Sequence, residues 1–189
     1  MRRLVFIVLL LVAVTAIAAF IASRWASPTK VEVPPAPTPT QQATWKGVAP
    51  GSSFGDLIAK LGQPQKTEVV SGGTQVFYPG VDKNWGTEVA VKNNTVAFIR
   101  EHVFPPQDVS LAKRTQQLGE TPVRLYGNIS ESNMFLFVFP AHGVAFIASE
   151  RNDTVYEVWY FQPAPIETLL TMPELHGYSP NPQAITGGR

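Results

Sequence analysis

Nineteen consecutive residues from Leu4 to Ala22, LVFIVLLLVAVTAIAAFIA, carry no charge. As a helix they extend about 28 Å at 1.5 Å per residue, which matches the hydrocarbon core of a bilayer. Arg2 and Arg3 precede the run and favour a cytoplasmic N-terminus, while Arg24 and Lys30 follow it closely and reduce the charge asymmetry. Two readings follow. Residues 1–25 are a retained transmembrane anchor, or they are a signal peptide cleaved at Ala16-Ile17-Ala18 after an apolar region of Leu4 to Val14. Apolar residues continuing past that cleavage motif to Ala22 favour the anchor. Either way the remainder lies outside the cytoplasm: a single-pass membrane protein with an extracytoplasmic C-terminal domain, or a secreted one.

Residues 26–45 form a linker. Within them Ser27 to Thr44 contains Pro28, Pro34, Pro35, Pro37 and Pro39 and almost nothing able to pack. In polyproline II conformation eighteen residues reach about 56 Å at 3.1 Å each, enough to lift a domain clear of a membrane surface. Fifteen Lys and Arg against fourteen Asp and Glu give a net charge of +1. That balance shows no basic patch for nucleic acid, so no nucleic-acid partner is expected. The absence of Cys excludes thiol nucleophiles, disulfides, cysteine-bound metal and a lipoprotein cysteine.

Past the linker, two passes of one pattern are expected, over 46–104 and 105–163, with 164–189 as a C-terminal tail. Ser53 caps an amphipathic helix with apolar positions at Phe54, Leu57, Ile58 and Leu61, stopped by Gly62 and Pro64. Strand-like runs follow at KTEVV, TQVFYP, GTEVAVK and TVAFIRE. In the second pass Asp108 is the expected cap of a helix over 109–118, and Gly119 ends it. Strand-like runs recur at PVRLY, MFLFVFP, GVAFIAS and TVYEVWYF. Leu61-Gly62 answers to Leu118-Gly119, Gly86 to Gly143 and Thr95-Val96 to Thr154-Val155. The expected fold class is α+β, with tandem helix-plus-antiparallel-sheet repeats after the transmembrane helix and the Pro-rich linker.

The stretch GSSFGDLIAKLGQPQKTEV, with its G-x-S followed by L-G-x-P, resembles the helix-then-sheet module of the BamE (SmpA/OmlA) and β-lactamase-inhibitor-protein group. The likeness covers about residues 47 to 161, without the BamE lipobox cysteine. It implies a fold, and a habit of binding other proteins through the sheet.

Catalytic patterns are missing. His102, His142 and His176 have no His, Asp or Glu four residues on, as a helical metal pair requires, and no GxSxG, SxxK, HExxH, P-loop or GxGxxG occurs. No enzyme activity, cofactor or metal is expected. Sequons at Asn93, Asn128 and Asn152 overlap expected turns, where Asn is favoured for its backbone geometry. Aromatic residues carry the remaining signal. With Glu157 kept out of the core, Tyr156, Val158 and Tyr160 face inward, and Val155, Trp159 and Phe161 face outward with Val96 and Phe98. If helices cover one sheet face alone, Phe98, Trp159 and Phe161 form an exposed binding patch; if PAPIETLLTMPELHGY folds over that face, they are core. The leading expectation is a membrane-tethered, cell-envelope domain that binds a protein or envelope component without catalysis. A secreted enzyme inhibitor and an unrecognised hydrolase are the alternatives.

Overall fold

The computed structural model describes residues 41–82, 85–103 and 110–183. The apolar run Leu4 to Ala22 and the prolines of the linker lie outside them. Among the described residues no helix is long and apolar enough to cross a membrane.

Helix α1 (Phe54–Leu61) begins at Ser53, whose Oγ accepts a hydrogen bond from the Asp56 N–H at 3.0 Å, and ends at Gly62. That cap satisfies one of the free N–H groups of the first turn. Its stripe buries Leu57 completely and seats Phe54 and Leu61 beside it. Helix α2 (Leu111–Leu118) is capped by Ser110, whose Oγ accepts from the Lys113 N–H at 3.1 Å. The expected cap, Asp108, lies outside the described residues.

Eight strands follow the strand-like runs: β1 (Lys66–Val70), β2 (Gly73–Asp82), β3 (Trp85–Lys92), β4 (Thr95–His102), β5 (Val123–Leu125), β6 (Met134–Phe139), β7 (Val144–Ser149) and β8 (Thr154–Phe161). They form one antiparallel sheet in the order β1-β2-β3-β4-β8-β7-β6-β5. This corrects the expected α+β class with tandem helix-plus-sheet repeats: the protein is mostly β, with a single sheet and few helices. The reason lies in β4 and β8, whose alternating apolar residues make each a fit partner for the other. Phe98 pairs with Phe161, Ile99 with Tyr160 and Arg100 with Trp159, so no edge remains between the first four strands and the last four.

One sheet face packs under both helices and the N-terminal turn. Trp45, Val48, Leu57, Val76, Ile99 and Tyr160 are among its buried residues. Tyr160 donates to Glu101 Oε2 at 2.9 Å, and burial pushes its hydroxyl well above the usual tyrosine range, aided by the Glu101 charge. The opposite face is covered by the C-terminal segment, which comprises α3 (Ile166–Leu169) and a 3-10 turn at Pro173–Leu175. Leu169 and Leu175 are fully buried there against Leu125, Leu136, Trp159 and Phe161. Tyr126 and Ser179 exchange backbone hydrogen bonds at 2.8 and 2.9 Å, fastening the segment along the short strand β5. Close approach makes Gly127 necessary, since a Cβ there would sit 2.7 Å from the Tyr178 ring. Gly143, at φ +63°, would bring a Cβ to 2.2 Å from the Phe161 carbonyl oxygen.

Two bulges reset the faces. Ala90 pairs with Phe98 but Val91 with Val96, leaving Ala97 extra on β4; Ile147 pairs with Glu157 but Ala148 with Val155, leaving Tyr156 extra on β8. An inserted residue inverts the alternation beyond it. Val96 and Val155, expected beside Phe98 and Trp159, therefore lie in the helix-side core. The exposed patch is corrected too: Phe98, Trp159 and Phe161 are 4%, 2% and 0% exposed. Burying three large aromatic side chains under the C-terminal segment is worth about 1.5–3 kcal/mol each, which is why the segment seats there instead of trailing as a tail.

Candidate functional site

The C-terminal segment does not cover its whole face. Where it leaves the centre of the sheet, charged residues of β3, β4 and β8 stand beside one another. Glu88 pairs across the strands with Arg100, Arg100 with Trp159, and His102 with Glu157. A charge on a half-covered sheet face is costly unless it is paired or hydrogen-bonded, and each of these finds partners. Gln75 donates to Glu88 Oε2 at 3.0 Å, and Arg100 Nη1 reaches the same oxygen at 3.5 Å. Glu157 accepts from Trp159 Nε1 at 2.6 Å, with Arg100 Nε at 3.8 Å and His102 Nδ1 at 3.5 Å. The guanidinium lies 5.0 Å from the centre of the Trp159 ring, a cation–π distance. Trp85, half exposed, sets its ring 5.1 Å from His102 at the outer end of the row.

Two atoms in this neighbourhood are shielded without a hydrogen-bond partner: Arg100 Nε and Glu174 Oε2. Arg100 and Glu174 line both of two adjoining clefts. One, of about 420 Å³, runs between the sheet and the C-terminal segment past Asn128, Trp159, His176 and Tyr178. The other, of about 310 Å³, runs toward β1 past Val70, Gln75, Glu88 and Phe98. Burial raises the Tyr178 hydroxyl pKa above its ordinary value, and the Glu157 charge adds to it. Tyr178 thus lines the cleft as a neutral phenol, edge-on to Trp159 at 5.9 Å.

Chemically this is a place where both signs of charge meet: a guanidinium whose shielded Nε and a carboxylate whose shielded Oε2 make no hydrogen bond. Among the described residues no three of His, Cys, Asp and Glu lie so as to hold a metal ion. His142 belongs elsewhere, its Nε2 within 3.0 Å of the Leu118 carbonyl oxygen. The sequon asparagines sit in turns: Asn93 and Asn94 adopt φ of 50° and 60°, Asn152 precedes Asp153 at 54°, and Asn128 opens a 3-10 turn.

Of the residues first singled out, Trp159 and Phe98 border the site as its walls, while Phe161 is core. Sequence reasoning missed Gln75, Glu88, Arg100 and Glu174. A signal for two of them was present: Glu88 interrupts an apolar run, as Glu157 does, and Arg100 ends one within its strand, and a charge inside a strand needs a partner on the neighbouring strand. Glu174 had no such signal, because its place depends on how the C-terminal segment lies.

No family model and no curated protein matches the chain. Four chains of solved structure are similar in part, three of them as follows. An extracellular protein containing an SCP domain from Bacillus anthracis is 15% identical over 71% of this chain and 51% of its own, with a TM-score of 0.44. A cysteine-rich secretory protein from Staphylococcus aureus is 11% identical over 68% of this chain and 48% of its own, at 0.46. A DUF4309 family protein from Bacillus subtilis is 19% identical over 63% and 83%, at 0.42. The chain spans about half the length of the first two. The resemblance to the BamE and β-lactamase-inhibitor group is corrected here: no member of that group emerges, and the architecture is one eight-stranded sheet.

Proposed function

We propose that this chain is a binding module without catalytic activity, held on the outer side of a membrane through residues 4–22, that receives a segment of a partner polypeptide in the clefts around Arg100. The observation carrying the proposal is the pairing of unused groups where the clefts meet, Arg100 Nε and Glu174 Oε2. A polypeptide backbone supplies both complements, carbonyl oxygens for the guanidinium and N–H groups for the carboxylate. The neutral Tyr178, held edge-on to the buried Trp159, provides the phenolic surface on which a peptide side chain rests. The outward location rests on the uncharged run after Arg2 and Arg3 and on the Pro-rich linker behind it. A mature N-terminus near Ala19 would make the same module a secreted one.

Selection of displayed random peptides against the full chain tests the reading. Peptides retained by the native protein are expected to bind R100Q and E174Q about tenfold or more weakly, because each variant removes a charge-assisted hydrogen bond. Equal binding to the native chain and both variants, or no retained peptide at all, would reject the site.

A further inference from the structure

The two edges of the sheet are protected unequally. At one end β5 is three residues long and is flanked by the Tyr126–Ser179 bridge. At the other end β1 has a neighbour on one side only. Val69 and Val70, 89% and 43% exposed, are two of the three large apolar residues that stand out among the described ones. An edge strand with free backbone groups and exposed β-branched residues is a template for another strand.

We propose that β1 pairs with β1 of a second copy of this chain, antiparallel and centred on Thr67, so that one sheet continues through both protomers. The charge pattern selects the occupant and the register. Lys66 and Glu68 share one face of β1 and contact each other as an ion pair, with Lys66 Nζ 5.3 Å from the centre of the Phe77 ring. A two-fold axis perpendicular to the sheet keeps faces in common, so the centre falls on a residue. Centring on Lys66 sets two ammonium groups together, and centring on Glu68 sets two carboxylates together. With Thr67 at the axis, Lys66 of each copy stands opposite Glu68 of the other. The two intrachain pairs become a square of alternating charge, and Val69 of each copy lies opposite Gln65 of its partner. Centring on Val69 forms no such cross pair and runs into the turn at Ser71 and Gly72. Only a strand whose own charges complement themselves under reversal gains in this way, which favours a second copy over an unrelated peptide. The surface joined is one short strand from each copy, so the association is reversible and follows protein concentration.

Sedimentation of the full chain in mild detergent across a concentration series tests this. The native chain is expected to pass from monomer to dimer. K66E and E68K, each setting like charges opposite one another, are expected to weaken self-association about tenfold or more. An equimolar mixture of the two variants restores the cross pairs and should dimerise again, as should the swapped K66E/E68K chain. Thermal unfolding of each variant near the native midpoint establishes that the fold is intact; should a single variant unfold, the swapped chain and the Thr67→Pro variant decide the matter. A native chain that stays monomeric, self-association that ignores both charge changes, or a mixture that fails to re-associate would overturn the proposal. Association that ignores charge would point to contact through another segment.

Discussion

Asp153 shows how one side chain can tie distant parts of the chain together. It sits in the turn before β8 at φ 54°, yet its carboxylate accepts from Ser110 Oγ at 2.5 Å and from the Ala112 N–H at 2.8 Å. The first turn of α2 thus gains a negative charge at its positive end. The Ser110 hydroxyl first, and the Ala112 N–H next, hold the carboxyl below its ordinary value of 3.8. A depressed folded pKa means that the unfolded chain takes up the proton first as pH falls. The stabilisation is therefore complete at neutral pH and is lost as pH drops through the ordinary carboxylate range toward the lower folded value. The gap in stability between the native chain and D153N should be present at pH 7 and close by about pH 2, as measured by urea denaturation at each pH. A gap that is constant with pH would mean that Asp153 acts through shape and not through charge.

The C-terminal segment is the element that changes the meaning of the rest. Without it, Phe98, Trp159 and Phe161 would be the exposed aromatic patch that alternation expects; with it, they are core. Leu169 and Leu175 are its anchors, each 1% exposed and spaced along the face by α3 and the following turn. Leu169→Ala and Leu175→Ala should each cost about 2–4 kcal/mol in urea unfolding, the range for a buried leucine that leaves a cavity. Losses below about 1 kcal/mol at both positions would mark the segment as separable from the core. The segment also supplies Glu174 and Tyr178 to the clefts, so the candidate site exists only when this element is in place.

At the scale of the molecule the question is whether eight strands act as one body. The pairing of β4 with β8 joins them, and both faces carry buried residues from either side of that junction. Unfolding should accordingly be a single transition. Native-state hydrogen exchange is expected to give the slowest amides of β2–β4 and of β6–β8 the same opening free energy. A difference larger than about 2 kcal/mol between the two sets would show that the strands open as separate units despite the shared sheet.

The caps of α1, Ser53 and Gly62, and the positions of the strand-like runs were legible in the chain because they depend on neighbours, whereas the cap of α2 is Ser110 and not the expected Asp108. Glu157 was legible as a residue of the face turned away from the helices for the same reason, and it belongs to the charged row. Three things were decided only by tertiary contact. The strand order rests on β4 meeting β8, residues some sixty positions apart whose fit no local pattern encodes. The sides taken by Val96 and Val155 rest on single-residue bulges, which invert alternation without altering composition. The clefts around Arg100 rest on where a segment from beyond the last strand comes down on the sheet. Alternation states which residues share a side within one run; what covers that side is settled by the burial of surfaces that are far apart in the chain.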